Sequence, residues 1–307
     1  MNRIFTTVLA IICIFTMCFS AFQIYLELND NRTEINPFEE TDCFEGDTVF
    51  IKEEKMPEKV QKLPTKTPTN IDLDTPADRW YEINSKVTAT ITIEGLDKEP
   101  IVTNNTVDGQ NEYLKKNIEG KYSKAGTLFT AYDAKLGVTN ITTVFGHSMG
   151  NGTMFGTLKN FKKLDYVKNN PVFQMSSLTN NYNLKIIAVA DVSSNYYDSG
   201  WYYPQSNLTE KEFENFKNEV RNRSYFVIPD KFDYNSKYVI LSCCDYAFEG
   251  ERLIVVARIM EEYESVYINS YSNNAVVLRA NEYYKTYGKT KPSESVINEN
   301  RIKNYGK

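Results

Sequence analysis

The 307-residue sequence contains one histidine, His147. Any imidazole chemistry rests on that residue, and a histidine-rich metal centre is excluded. Cysteine is scarce and unpatterned: of five, none forms a Cys-x-x-Cys pair that could hold zinc, and they lack the even spacing of a small disulfide-stapled secreted scaffold. An excess of positive charge is missing as well. Lys and Arg number 35 against 40 Asp and Glu, a net charge of -5, without the basic stripe a nucleic-acid footprint requires. Neither an internal repeat nor a low-complexity tract occurs. What remains is an ordinary globular composition, 41% hydrophobic, long enough for one or two domains with a sizeable core.

One stretch lacks charge altogether. From Ile4 to Leu26 no Asp, Glu, Lys or Arg occurs, with Arg3 before it and Glu27 and Asp30 after it. That length suits a membrane span, and a cleaved signal peptide fits less well because Cys18-Phe19-Ser20-Ala21 makes a poor cleavage site. A lipoprotein signal is excluded because Ile11-Ile12-Cys13 has no small residues before the cysteine. Residues 1–26 are therefore expected to be an N-terminal transmembrane helix, and the positive-inside tendency puts the rest of the chain outside the cell. Residues 27–77 are polar and acidic and hold Pro37, Pro57, Pro64, Pro68 and Pro76, which reads as a stalk. Leu63-Pro64-Thr65-Lys66-Thr67 within it superficially resembles a wall-sorting signal, but it lacks the following glycine and a C-terminal apolar tail.

From Asp78 the pattern changes. Val87, Ala89, Ile91 and Ile93 alternate with Thr88, Thr90 and Thr92, the period of a half-buried strand. Further strands are expected at 101–102, 127–132, 141–145, 184–192, 238–244 and 253–260. Many short strands suggest a barrel or sandwich. Two helices interrupt them: one carries Met154, Leu158 and Phe161, and the other opens on the capping box Thr209-Glu210-Lys211-Glu212 and buries Phe213, Phe216 and Val220. Residues 78–262 form the expected folded domain. Residues 263–307 read as a Tyr- and Asn-rich extension with a short helix near 281–287 and a frayed end.

Two apolar runs end in reactive residues. Val144-Phe145-Gly146 stops at His147, and Tyr238-Val239-Ile240-Leu241-Ser242 stops at Cys243-Cys244, with Arg252 heading the next run. A nucleophilic cysteine needs a cationic neighbour or a base, and His147 and Arg252 are the plausible suppliers. Side chains alternate along a strand, so Ser242 and Cys244 face one way and Leu241 and Cys243 the other. If Leu241 packs into the core, Cys243 is the inert thiol and Cys244 the candidate nucleophile. Plainer readings stand beside this: two small buried hydrophobes, a strained vicinal disulfide, a surface arginine next to Glu249 and Glu251, and a satisfied core histidine.

Taken together these motifs resemble a family. Phe145-Gly146-His147-Ser148-Met149 followed by Met154-Phe155-Gly156-Thr157-Leu158, and Ile240-Leu241-Ser242-Cys243-Cys244 before Arg252-Leu253-Ile254-Val255-Val256, are similar to the motifs of class B sortases over residues 78–260. The helix 209–222 is similar to the class B insertion. The resemblance implies a mainly β fold with flanking helices, a closed β-barrel behind an anchor and stalk, on a single-pass membrane protein of a Gram-positive cell. It implies cysteine transpeptidation: Cys244 attacks the threonine carbonyl of a C-terminal sorting signal, often Asn-Pro-x-Thr-like, on a surface protein. His147 moves the protons, Arg252 stabilises the oxyanion, Ser242 contacts substrate, and an amine of peptidoglycan or its lipid-linked precursor resolves the thioacyl enzyme. No cofactor or metal is implied. Ile240 and Cys243 depart from the family, which has threonine at both positions, and a catalytically impaired scaffold is the alternative. The L,D-transpeptidases and papain-like peptidases fit less well, the first lacking a match to their Ser-x-Gly-Cys spacing and the second placing cysteine before histidine.

Overall fold

Strand β1 (Val87–Ile93) and strand β2 (Leu96–Thr103) begin a chain of pairings that closes on itself. The computed structural model describes residues 61–62, 76–103, 112–194 and 206–306. The remaining barrel strands are β3 (Leu128–Thr130), β4 (Ile141–Gly146), β5 (Val172–Ser177), β6 (Asn181–Ser193), β7 (Tyr238–Cys244) and β8 (Glu251–Ile259). Their order around the closed barrel is β8-β6-β5-β1-β2-β3-β4-β7, and only β2 with β3 and β4 with β7 run parallel. The closed β-barrel that the resemblance implies is thus present, and it has eight strands. Closure leaves no free barrel edge to pair with another chain.

All eight strands send alternate side chains into one interior, which includes Ile91, Ile101, Leu128, Val144, Phe173, Leu184, Leu241 and Val255. The 3-10 helix Phe155–Lys162 adds Phe155, Leu158 and Phe161 to it. These three recur at the three-residue period of a 3-10 helix, so Phe155 takes the place in the stripe expected of Met154, which precedes the helix and is buried in the same interior. Ala89, Ile91 and Ile93 point inward as expected, whereas Val87 joins an outer cluster with Trp80 and Phe129 because the ladder shifts between Val87 and Ala89. Strand β5 went unread in the sequence, since Gln174, Ser176 and Ser177 dilute the two inward residues Phe173 and Met175.

The outer faces of β6, β7 and β8 are covered by helix α3 (Glu210–Arg223). Thr209 caps it through a complete capping box with Glu212. Phe213, Phe216 and Val220 press on Ile187, Ile240, Ile254 and Val256, and each such buried side chain contributes roughly 1.5–3 kcal/mol. Two shorter helices, α1 (Pro76–Ile83) and α2 (Leu164–Asn169), flank the barrel, and Pro76 fills the first position of α1, where its missing N–H costs nothing.

Beyond the barrel the structure differs from the expected frayed tail. Ser272 and Asn273 pair with Val227 and Phe226, helix α4 (Asn281–Tyr287) follows, and helix α5 (Glu294–Tyr305) extends to Tyr305. The polar composition that suggested fraying satisfies main-chain groups instead. Asn274 donates to Ser224 O at 2.9 Å, Asn300 donates to Asn274, and the Arg221 guanidinium lies 4.6 Å over the Tyr305 ring. The expected anchor lies outside the described residues. So does most of the expected stalk, apart from Gln61–Lys62, which pairs with Ser265–Val266, and Pro76–Ala77, which starts α1. Among the described residues no helix is long and apolar enough to cross a membrane.

Candidate active site

The three residues singled out from the sequence meet at one end of three adjacent strands. In the antiparallel β7–β8 ladder Cys244 is the Cα partner of Arg252. In the parallel β4–β7 ladder Gly146 is the partner of Cys243, which sets His147, the next residue, beside Cys244. Parity gives all three one face: Leu241 and Cys243 line the interior, so Cys244 and Arg252 face outward, as does His147 by the same alternation along β4.

His147 is held by its surroundings. Its Nε2 lies 2.7 Å from Leu114 O, and because a carbonyl only accepts, Nε2 carries the hydrogen. Nδ1 is then the nitrogen left to exchange a proton. The main chain is fixed too, since Phe155 N donates to His147 O at 2.9 Å and Ser148 bridges Met154. Leu114 comes this close because Gly126, at φ 68°, has no Cβ: one there would fall 2.7 Å from Leu114 O. This carbonyl was not read from the sequence, and a lone glycine was its only signal.

The two thiols are sharply distinguished. Cys243 is 3% exposed, and burial, helped by the negative charge of Asp245, pushes its pKa up to about 12. Cys244 is partly exposed. Cys243 packs in the interior with Leu241, the side that strand parity expects of it. Both are free thiols, so the vicinal disulfide is not formed. Ser242 shares the outward face but is 2% exposed. It is therefore a floor beneath the site, not an open contact surface. Arg252 is half-buried, and its Nη1 donates to Glu251 O at 2.9 Å, which braces the guanidinium along its own strand.

On the opposite face of the same strand ends lies a buried charge cluster that sequence reading missed. Lys162 Nζ is 2.8 Å from Asp191 Oδ1, pairs with Asp245, and is 3.9 Å from Glu251 Oε1. Arg279 adds a second cation, 2.8 Å from Asp191 Oδ2. Burial opposes the lysine's charge, yet Asp191 and Asp245 hold its pKa above the usual value. Glu251, 1% exposed, has its pKa raised to about 7, first by burial and then by the charge of Asp191. Among the described residues these three carboxylates are the set that could hold a metal ion, but the Lys162 ammonium already occupies that position. The signal in the sequence was a charge inside an apolar run, Asp191 in β6 and Glu251 at the head of β8.

No family model matches the chain. Sortase B of Listeria monocytogenes is 24% identical over 151 residues, a match covering 48% of this chain and 60% of that protein. Sortase B of Staphylococcus aureus is 21% identical over 214 residues, covering 68% of this chain and 83% of that protein. The chain thus spans less than two thirds of the first of these relatives. Among solved structures, sortase B of Clostridium perfringens superposes with a TM-score of 0.53 at 24% identity, covering 59% of this chain and 98% of the other. A Staphylococcus aureus sortase B–substrate complex superposes at 0.52 and 20% identity, covering 60% of this chain and 84% of the other. The chain is similar in sequence and in fold to class B sortases.

Proposed function

We propose that the protein is a class B-type sortase, a cysteine transpeptidase that cleaves a C-terminal sorting signal and transfers the acyl group to an amine. One observation carries the reading: the β4–β7–β8 register, which sets His147, Cys244 and Arg252 side by side on one face. Likeness to proteins called sortase B, one of them in complex with its substrate, supports it.

The steps follow from the positions. Cys244 Sγ gives its proton to His147 Nδ1 and attacks the carbonyl carbon of the scissile peptide, and the oxyanion forms beside Arg252, whose guanidinium has N–H groups beyond the one bonded to Glu251 O. His147 then donates a proton from Nδ1 to the leaving amine, and the thioester remains on Cys244. The incoming amine loses its proton to Nδ1 and displaces the thiol. Leu114 O, accepting from Nε2, keeps the ring oriented with Nδ1 free for both transfers.

Of the two departures from the family motif, one lies on the opposite face and the other shares this face four residues back along the strand, where it is covered. Ile240 packs under α3 and Cys243 packs in the barrel interior, so neither substitution alters the outward surface at Cys244. This favours an active enzyme over a scaffold. The amine belongs to the cell wall, and the uncharged run Ile4–Leu26 tethers the enzyme at the outer surface of the membrane where its substrates are held, which raises their effective concentration.

The test is a quenched-fluorescence library of Asn-Pro-x-Thr peptides, with an amine acceptor added and the protein followed by intact mass. The expected result is a thioacyl adduct on Cys244 and a transpeptidation product, both absent from Cys244→Ala. A protein that binds peptides and never forms the adduct is a scaffold, and the proposal fails.

A further inference from the structure

We infer that Lys162 is a positioning residue for the thiol, tying the segment after the histidine loop to the strand ends that carry Cys244 and Arg252. This rests on the reading of Cys244 as the nucleophile. Lys162 closes the 3-10 helix Phe155–Lys162, and that helix begins at the residue whose N–H holds His147 O. Its ammonium reaches Asp245, the residue after Cys244, Glu251, the residue before Arg252, and Asp191 on the neighbouring strand β6. One cation thus touches the flanks of both site residues, from a helix whose other end is bonded to the third.

The cluster also shapes the turn between β7 and β8. Glu251 O accepts from Asp245 N at 3.2 Å and from Arg252 Nη1, and the Glu251 carboxylate accepts from Ala247 N through Oε2. Glu251 Oε1 has no hydrogen-bond partner among the described residues and faces Lys162. Without the ammonium, Asp191, Asp245 and Glu251 would repel one another across a buried space, with Arg279 alone to offset them. The turn would open, and Cys244 and Arg252 would lose their common register.

The experiment compares Lys162→Met, Lys162→Arg and Lys162→Met combined with Glu251→Gln, reading peptide turnover and the rate at which iodoacetamide alkylates Cys244. Lys162→Met is expected to lower kcat by about 10²-fold, the scale of a small misplacement at a catalytic group, with KM little changed. With Arg252 no longer held beside it, its Cys244 is expected to alkylate more slowly at neutral pH. Lys162→Arg is expected to keep much of the activity, and the double variant, which removes the ammonium together with the carboxyl group that faces it, to recover most of what Lys162→Met loses. A folded Lys162→Met protein with normal kcat and normal alkylation overturns the inference, as does a loss that Glu251→Gln does not repair. Should Lys162→Met not fold, Asp245→Asn cuts the same tie isosterically, and normal alkylation of Cys244 there overturns it equally. Alkylation needs no peptide, so it decides this point even if Cys244→Ala retained turnover, which would sink the sortase reading alone.

Discussion

Arg252 is the direct cross-strand partner of Cys244 in an antiparallel ladder, on the same face of the sheet. Directly opposed residues in such a ladder have Cβ atoms about 4.5–5.5 Å apart, so the sheet itself sets the guanidinium beside the sulfur. No loop movement is needed to assemble the pair. The planar fork of arginine can hold an oxyanion and a substrate carbonyl at once, which a lysine ammonium on a flexible stem cannot. Arg252→Lys is therefore expected to lower kcat/KM by about 10²–10³-fold, the scale of losing one oxyanion donor, with unchanged thermal stability. Steady-state kinetics on the best library peptide measures it. A near-normal Arg252→Lys enzyme would show that positive charge alone suffices.

The thiols give a second test. Cys243 sits in the interior with its pKa pushed up to about 12, so at neutral pH it is protonated and out of reach. Cys244→Ala is expected to abolish turnover, and Cys243→Ala to keep most of it at a stability cost of about 1 kcal/mol for the small void left behind. Peptide mapping after brief iodoacetamide treatment of the native protein should find the label on Cys244 and reach Cys243 only after unfolding. The reverse pattern would exchange their roles.

Strand ends and the faces of strands were legible in the sequence because they follow from local periodicity. Tyr238–Cys244 was read with its observed bounds, and the parity that separates Cys243 from Cys244 holds in the barrel. The capping box at Thr209 was legible for the same reason, since it lies within four consecutive residues. What brings His147 to Cys244 is not local: it is the parallel pairing of β4 with β7, two runs separated by two barrel strands, a 3-10 helix, α2 and α3, and only the motif resemblance pointed to it. Leu114 O and Lys162 were illegible, because a carbonyl has no sequence signature and a lysine at the end of a short helix looks like any solvated charge. The C-terminal segment was misread since Asn and Tyr side chains that fill main-chain hydrogen bonds have the same composition as a disordered tail.

Gly146 offers a third test, this one of packing next to the histidine. A Cβ at Gly146 would fall 2.3 Å from Leu128 Cδ2 and 2.9 Å from Phe155 Cδ2, inside the barrel interior. Gly146→Ala must therefore displace the Leu128 and Phe155 side chains or the end of β4. The expected cost is about 1–3 kcal/mol of overpacking, with a fall in kcat larger than the change in KM because His147 is the next residue. Chemical denaturation and kinetics on the same preparation measure both. A stable Gly146→Ala protein with normal kcat would mean that Leu128 moves aside without disturbing His147.

The last test is the pH dependence of stability. Glu251 is raised to about 7 in the folded protein by burial and by Asp191, while in the unfolded chain it titrates near 4.3 as a free glutamate does. Between those values the folded state binds more protons than the unfolded one at this site, so the group's contribution to stability is full below about pH 4 and falls as pH rises toward 7. Lys162 offsets part of this, and Asp191 and Asp245 add to it. Glu251→Gln keeps the shape and removes the titration. Its melting temperature is expected to match that of the unmodified protein near pH 5 and to exceed it at pH 8, so the difference between the two grows across the interval. Differential scanning calorimetry at a series of pH values gives that difference directly. A constant offset from pH 5 to pH 8 would mean that Glu251 is ionised throughout and that Lys162 neutralises it completely.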